Sequence, residues 1–174
     1  MGASLDGIKA VFLDLDGTIY LGGNLIPGAL EFLHRCDEQG VQRFFLSNNS
    51  SRSVTQYVKK LEGMGIPATA DDVLLSTHDC LAWLKKNNVT KTYCVGTEGM
   101  CKMLEAEGIA TRSLKPQYVV LGYDTETTYE KLETASLHLH AGVHLMASHP
   151  DMVCPSPEGG LPDVGAFLAL FKAT

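Results

Sequence analysis

The octapeptide Phe12-Leu13-Asp14-Leu15-Asp16-Gly17-Thr18-Ile19 constrains this chain more than any other stretch of it. The apolar run Lys9-Ala10-Val11-Phe12-Leu13 reads as a buried strand. It stops at two acids one residue apart, followed by a glycine and a hydroxyl. A buried strand has no structural use for paired acids at its carboxyl end. In an open α/β sheet that end faces the crevice where ligands bind, so Asp14 and Asp16 are expected to meet a substrate and a cation there. A strand cap or an Asx-turn is the plainer alternative, but one Asp would be enough for it.

The segments that follow alternate. Gly28 to Gln39 carries Ala29, Leu30, Phe32, Leu33 and Cys36 at helical spacing, with Pro27 at its entry and Gly40 as its stop. Val41 to Leu46 reads as a buried strand. Ser53 and Gln56 form a capping box for a helix whose apolar face is Val54, Tyr57, Val58 and Leu61, ended by Gly65. Val73-Leu74-Leu75 is a third strand. This βαβαβ order is the first half of a doubly wound sheet.

A helix from Thr77 to Lys86 precedes a second α/β rhythm. Strands are expected at Thr92 to Val95, Tyr118 to Leu121 and His144 to Ala147, with helices at Met100 to Glu107 and Thr128 to Ala141. Thr97-Glu98-Gly99 reads as a helix-start turn, since it lacks a full glycine fingerprint. Pro150, Pro155, Pro157 and Pro162 predict an irregular loop. The domain junction is expected between Ser76 and Lys91, dividing the chain into 1–78 and 79–174. Right-handed crossovers carry the first three strands outward to one side, leaving strand one at an edge. Yet Val11-Phe12-Leu13 suits a strand packed on both faces, and Val164 to Thr174 ends with no stop signal. The 174 residues are therefore expected to be the first part of a longer protein.

Hydrophobic residues make up 45% of the chain, enough for a core. Net charge is −6 with a pI near 5.4, and the basic residues do not cluster, which argues against nucleic acid or an anionic membrane as partner. No apolar run approaches the ~18 residues of a spanning helix, and no signal-peptide pattern opens the chain. Met1-Gly2 suggests myristoylation, but Asp6 stands where that motif wants Ser or Thr. The five cysteines (Cys36, Cys80, Cys94, Cys101, Cys154) are odd in number and lack metal-ligand spacing, so a reduced, cytoplasmic protein is expected. His138, His140 and His144 do not share one helix face and read as solvated or capping residues.

Several motifs resemble those of the haloacid dehalogenase-like hydrolase superfamily. Asp14-Leu15-Asp16-Gly17-Thr18-Ile19-Tyr20 is similar to its first motif, and Ser47-Asn48-Asn49-Ser50 to its second. Gly96-Thr97-Glu98-Gly99, Gly122-Tyr123-Asp124 with Thr128 to Leu132, and His149-Pro150-Asp151 with Gly159 to Asp163 resemble the cap of the NagD-like and p-nitrophenyl phosphatase subgroup. The resemblance implies an α/β fold: a partial Rossmann-like core of three parallel strands with an inserted α/β cap, the carboxyl-terminal half of the core being absent. It also implies a cytoplasmic, Mg²⁺-dependent phosphatase of small phosphorylated metabolites, with a homodimer through the cap as a possible assembly.

Hydrolysis of a phosphate monoester needs a nucleophile, an acid for the departing alkoxide and positive charge around the transferring group. In this reading Asp14 is the nucleophile, giving an aspartyl-phosphate. Asp16 protonates the leaving oxygen and then activates water. Residues i and i+2 of a strand share a side, so the two carboxylates can flank one phosphoryl group. Gly17 lets the backbone turn so that amides face phosphate oxygens. Two carboxylates and a phosphate dianion repel one another, and Mg²⁺ suits such a sparse oxygen set. By resemblance, its ligands are the Asp14 carboxylate and the Asp16 backbone carbonyl.

Ser47 and Asn48 would donate to the phosphate; Asn49 reads as a loop brace that the resemblance also sets beside the site. Taken alone, Ser47 to Ser50 could equally be a polar turn capping a helix. His149 and Asp151 are candidates to face the leaving group, against a loop merely stiffened by prolines. Tyr123 and Asp124 are expected at the same mouth. The resemblance further requires a downstream Lys and one or two Asp, and nothing after residue 163 matches them. The chain alone is therefore expected to be inactive or nearly so. Two other classes stand beside this one: a phosphoacceptor module built on Asp14, and a non-catalytic binding or dimerisation piece.

Overall fold

The computed structural model describes residues 4–174; the Met1-Gly2 pair lies outside the described residues. The opening strand β1 (Ala10–Asp14) stops at the first acid. A small antiparallel hairpin follows, β2 (Tyr20–Leu21) and β3 (Asn24–Leu25), turning on Gly22-Gly23. Sequence patterning missed it because two-residue strands carry no readable alternation; Gly22, at φ +60°, is its only strong signal.

Helix α1 (Ala29–Glu38) leads to β4 (Gln42–Ser47), and α2 (Val54–Gly63) begins on the expected capping box. The Ser53 Oγ accepts from the Gln56 amide at 3.3 Å, and the Gln56 Oε1 accepts from the Ser53 amide at 2.7 Å. β5 (Val73–Leu75) closes a parallel sheet in the order β1-β4-β5, with β1 at an edge as the crossover argument requires. Phe12 pairs with Phe44, and Asp14 with Leu46.

Alternation decides which face is packed. Leu13, Phe45, Val73 and Leu75 join Leu33, Tyr57, Leu61 and Ile66 in one apolar cluster beneath α1 and α2. Phe12, Leu46 and Leu74 lie on the opposite face and are exposed, at 63%, 38% and 41%. The Phe12 and Phe44 rings stack there, 5.2 Å between centroids.

Helix α3 (Ser76–Lys86) leads into the second sheet, β6 (Thr92–Val95), β7 (Tyr118–Leu121) and β8 (His144–Ala147), all parallel in the order β6-β7-β8. Helices α4 (Glu98–Ala106) and α5 (Tyr129–His140) connect these strands. Thr97 caps α4 by accepting from the Met100 amide, the helix-start role expected of it. Cys80, Leu81 and Leu84 of α3 pack with Met100, Cys101 and Leu104 of α4 on one side of this sheet. Ala135 of α5 and Val164 pack on the other.

The proline-rich stretch corrects the expectation of an irregular loop. It forms an antiparallel hairpin, β9 (Val153–Ser156) with β10 (Gly159–Pro162), before α6 (Val164–Ala173). A two-stranded ribbon has only edges, where proline's missing N–H leaves no ladder bond unmade. Among the described residues all five cysteines are free and buried, and no helix is long and apolar enough to cross a membrane.

Candidate active site

The ends of β1 and β4 bring the sequence-predicted residues to one rim of the first sheet. Asp14 is exposed, and its Oδ2 accepts from the Thr18 hydroxyl at 3.0 Å across the turn that Gly17 makes at φ +92°. Leu15 is fully buried between the two acids, anchoring the turn in the core. The strand ends at Asp14, so strict alternation does not carry through to Asp16. The Asp16 carboxyl instead turns toward α2: its Oδ2 accepts from the Tyr20 hydroxyl at 3.5 Å, and its Oδ1 lies 3.8 Å from the Lys60 ammonium. Lys60 sits over the Tyr20 ring, 3.6 Å from its centroid.

Burial pushes the Asp16 carboxyl above the ordinary aspartate range; Lys60 pulls it back and the neighbouring charge of Asp14 pushes it up again. The same burial draws the Lys60 ammonium below its ordinary value, with Asp16 opposing. Tyr20 and Tyr57 are held protonated by desolvation.

Ser47, at the end of β4, is buried, its hydroxyl 3.2 Å from the Tyr57 hydroxyl. It also accepts from the Asn49 amide at 3.2 Å, while Tyr57 donates to the Asn49 carbonyl. Asn49 is a loop brace, its Oδ1 accepting from the Ser51 amide at 2.9 Å. Asn48 reaches across to the second sheet, where its side-chain amide donates to the Asp151 carboxylate. His149 is buried between Asp151 and Asp163, each with an oxygen 3.4 Å from a ring nitrogen. Neither contact has hydrogen-bond geometry, so both ring nitrogens are unsatisfied.

The loop after β4 is stitched to the second sheet by further contacts. Fully buried Ser50 accepts from the Tyr123 amide at 2.8 Å and lies 3.0 Å from the Ser148 hydroxyl. Thr97 donates to the Ser51 carbonyl at 2.9 Å. Tyr123 is buried within electrostatic reach of Asp16. Asp124, expected at the same mouth, has a buried carboxylate that pairs with the Lys131 ammonium at 2.9 Å. Sequence reasoning missed Thr18, Tyr20, Tyr57 and Lys60 as neighbours of the acids. Lys60 had one signal, its place three residues after Tyr57 on the apolar side of α2.

As a metal site the rim is sparse. Among the described residues no three His, Cys, Asp or Glu side chains converge, and no cation pairs with Asp14, whose only side-chain partner is the Thr18 hydroxyl. An exposed carboxylate with spare lone pairs fits Mg²⁺, which takes one or two protein carboxylates and completes its shell largely with water.

Residues 11–110 match the model of the haloacid dehalogenase-like hydrolases. The chain belongs to that family. Within it, the likeness is to the NagD-like, p-nitrophenyl phosphatase branch. An acid sugar phosphatase of Staphylococcus saprophyticus is 34% identical over 168 residues, 95% of this chain and 65% of the relative. The 4-nitrophenylphosphatase of Thermotoga maritima superposes with a TM-score of 0.89 at 39% identity, over 97% of this chain and 65% of that one. The glycerol phosphate phosphatase of Mycobacterium tuberculosis, solved with magnesium, superposes with a TM-score of 0.86 at 27% identity, over 95% of this chain and 51% of that one. This member of the haloacid dehalogenase-like family thus spans 65% of the curated relative's length.

Proposed function

We propose that this chain carries the nucleophile and acid of a Mg²⁺-dependent phosphatase acting on small phosphate monoesters. The observation that supports it best is the pairing of an exposed Asp14 with a half-buried Asp16 at one strand end, beside Ser47 at the next. The two acids differ in surroundings, as a nucleophile and a proton donor should. Asp14 attacks phosphorus through a carboxylate oxygen, and Asp16, whose burial favours its protonated form, gives its proton to the departing alkoxide. Water, deprotonated by the Asp16 carboxylate, then attacks the aspartyl-phosphate and frees Asp14. The Asp14 carboxylate and the Asp16 backbone carbonyl would hold Mg²⁺, which would supply positive charge against the repulsion of phosphate and carboxylates. Ser47 and the turn at Gly17 would receive phosphate oxygens.

Residues 79–174 act in this proposal as the cap that selects substrate, with His149 and Asp151 on the side facing the leaving group. Asn48 is tied to Asp151, so in our reading it joins cap to core, and its amide reaches phosphate only when that tie opens. Activity is further proposed to need residues outside this chain. Lys60 faces Asp16, and among the described residues no ion pair reaches Asp14 to offset the repulsion there. Each ~1.4 kcal/mol of transition-state stabilisation lost is about tenfold in rate.

The test is p-nitrophenyl phosphate hydrolysis by the full-length protein and by the 174-residue chain. The full-length protein should turn over with Mg²⁺, lose activity with chelator, and lose about a thousandfold or more on Asp14→Asn; the chain alone should be nearly inert. Efficient turnover by the chain alone would refute the need for further residues. Labelling by acetyl phosphate with no turnover of any ester would replace the phosphatase reading by a phosphoacceptor.

A further inference from the structure

We propose that Lys60 is a positioning residue for Asp16, seated on the Tyr20 ring so that it holds the acid's carboxyl toward a leaving-group oxygen. This rests on the phosphatase reading above. The geometry is built by α2. Its capping box secures the helix start, Tyr57 one turn later engages Ser47, and Lys60, three residues further on, lies on the same side of the helix. One helix face therefore addresses both strand ends, Ser47 through Tyr57 and Asp16 through Lys60.

The lysine has two fixed points. Its Nζ stands 3.6 Å from the centroid of the Tyr20 ring and 3.8 Å from the Asp16 Oδ1. Tyr20 is itself fully buried, so the platform under the ammonium is rigid. The Tyr20 hydroxyl approaches the other oxygen of Asp16 at 3.5 Å. The carboxyl is thus bracketed by a stacked Lys–Tyr pair. At 3.5 and 3.8 Å these contacts are looser than charge-assisted hydrogen bonds, so they orient the group while leaving its lone pairs free for a third partner. The Lys60 and Asp16 side chains are only 19% and 20% exposed, which keeps solvent screening low.

A pair that merely stabilised the fold would affect all substrates alike. A pair that positions a proton donor matters only where the leaving group needs the proton. An alkoxide does; p-nitrophenolate departs without one. General acids contribute about 10²–10⁴-fold, so a misplaced one forfeits part of that on alkyl esters alone. The experiment measures kcat/KM of the full-length protein for glycerol phosphate and p-nitrophenyl phosphate, a ratio that excludes the later hydrolysis of the aspartyl-phosphate.

Lys60→Met should lower the glycerol phosphate value about tenfold more than the p-nitrophenyl phosphate value, and Lys60→Arg should restore most of the difference. Lys60→Gln gives the same comparison should the Met variant fail to fold, with unfolding temperature as the check. Equal losses on both esters, or no loss, would overturn the positioning role and leave the phosphatase reading intact. A wild-type protein that hydrolyses neither ester would overturn both.

Discussion

The molecule holds two three-stranded parallel sheets, and they are not equally covered. In β6-β7-β8 the middle strand is buried on both faces: Val119, Val120 and Leu121 have no exposed surface. In β1-β4-β5 only one face is packed, and the other presents Phe12, Phe44, Leu46 and Leu74. Parallel sheets are ordinarily covered on both faces; the second sheet meets that rule and the first is covered on one face. The proposed catalytic acids belong to the half-covered one. Asp14 lies on the open face in line with Phe12, whereas Asp16 turns toward the covered side, against Tyr20 and Lys60. A shared strand end therefore places two acids in two environments, and division of labour between them follows from packing.

That contrast can be broken by mutation. The largest effect is expected around the fully covered sheet: Leu104→Ala, at a fully buried position of α4 in the cluster shared with α3, should cost about 3 kcal/mol in urea unfolding of the 174-residue chain. A cost below ~1 kcal/mol would mean that this layer is loosely packed. Tyr57→Phe should come next, at about 1 kcal/mol, because it removes the hydroxyl that bridges Ser47 and the Asn49 carbonyl. Leu74→Ala, on the open face, should cost less than about 1 kcal/mol in the same chain; a cost equal to that of Leu104→Ala would abolish the distinction.

The smallest effect is a slope with pH. Burial raises the Asp163 carboxyl above its ordinary value of 3.8, so the folded state favours its protonated form. Its contribution to stability is full below that ordinary value and is lost as pH rises through the raised one. Asparagine also caps helices and cannot ionise. Thermal unfolding of Asp163→Asn should therefore gain on wild type as pH rises from the acid range toward neutrality; a loss relative to wild type over that range would mean that folding favours the ionised carboxyl instead.

Much of this was legible beforehand. β5, β6, β7 and β8 fall where their β-rich apolar runs put them, and the Ser53–Gln56 box starts α2 as read. The hairpins were not legible. β2-β3 is too short to show a period, and in β9-β10 the prolines masked strand character while only Cys154 is buried. At the site, the acids and Ser47 announced themselves as polar residues ending apolar runs. Lys60 did not, because a lysine on a helix ordinarily reads as solvent-facing. Asp124 followed a strand as a functional acid would, but its ion pair with Lys131, seven positions on, was not legible either.

By itself the sequence settled the local matters, since periodicity and capping act within a few residues: the order of strands and helices outside the two hairpins, the acids at the tip of β1, and the hydroxyl at the tip of β4. The tertiary structure decided which groups surround those acids. Only packing of α2 beneath the sheet sets Lys60 on Tyr20 and against Asp16, and only docking of the second sheet buries Ser50 beneath Tyr123 and Ser148. Both depend on contacts between distant residues, whose pairing is governed by the shape and burial of the whole chain.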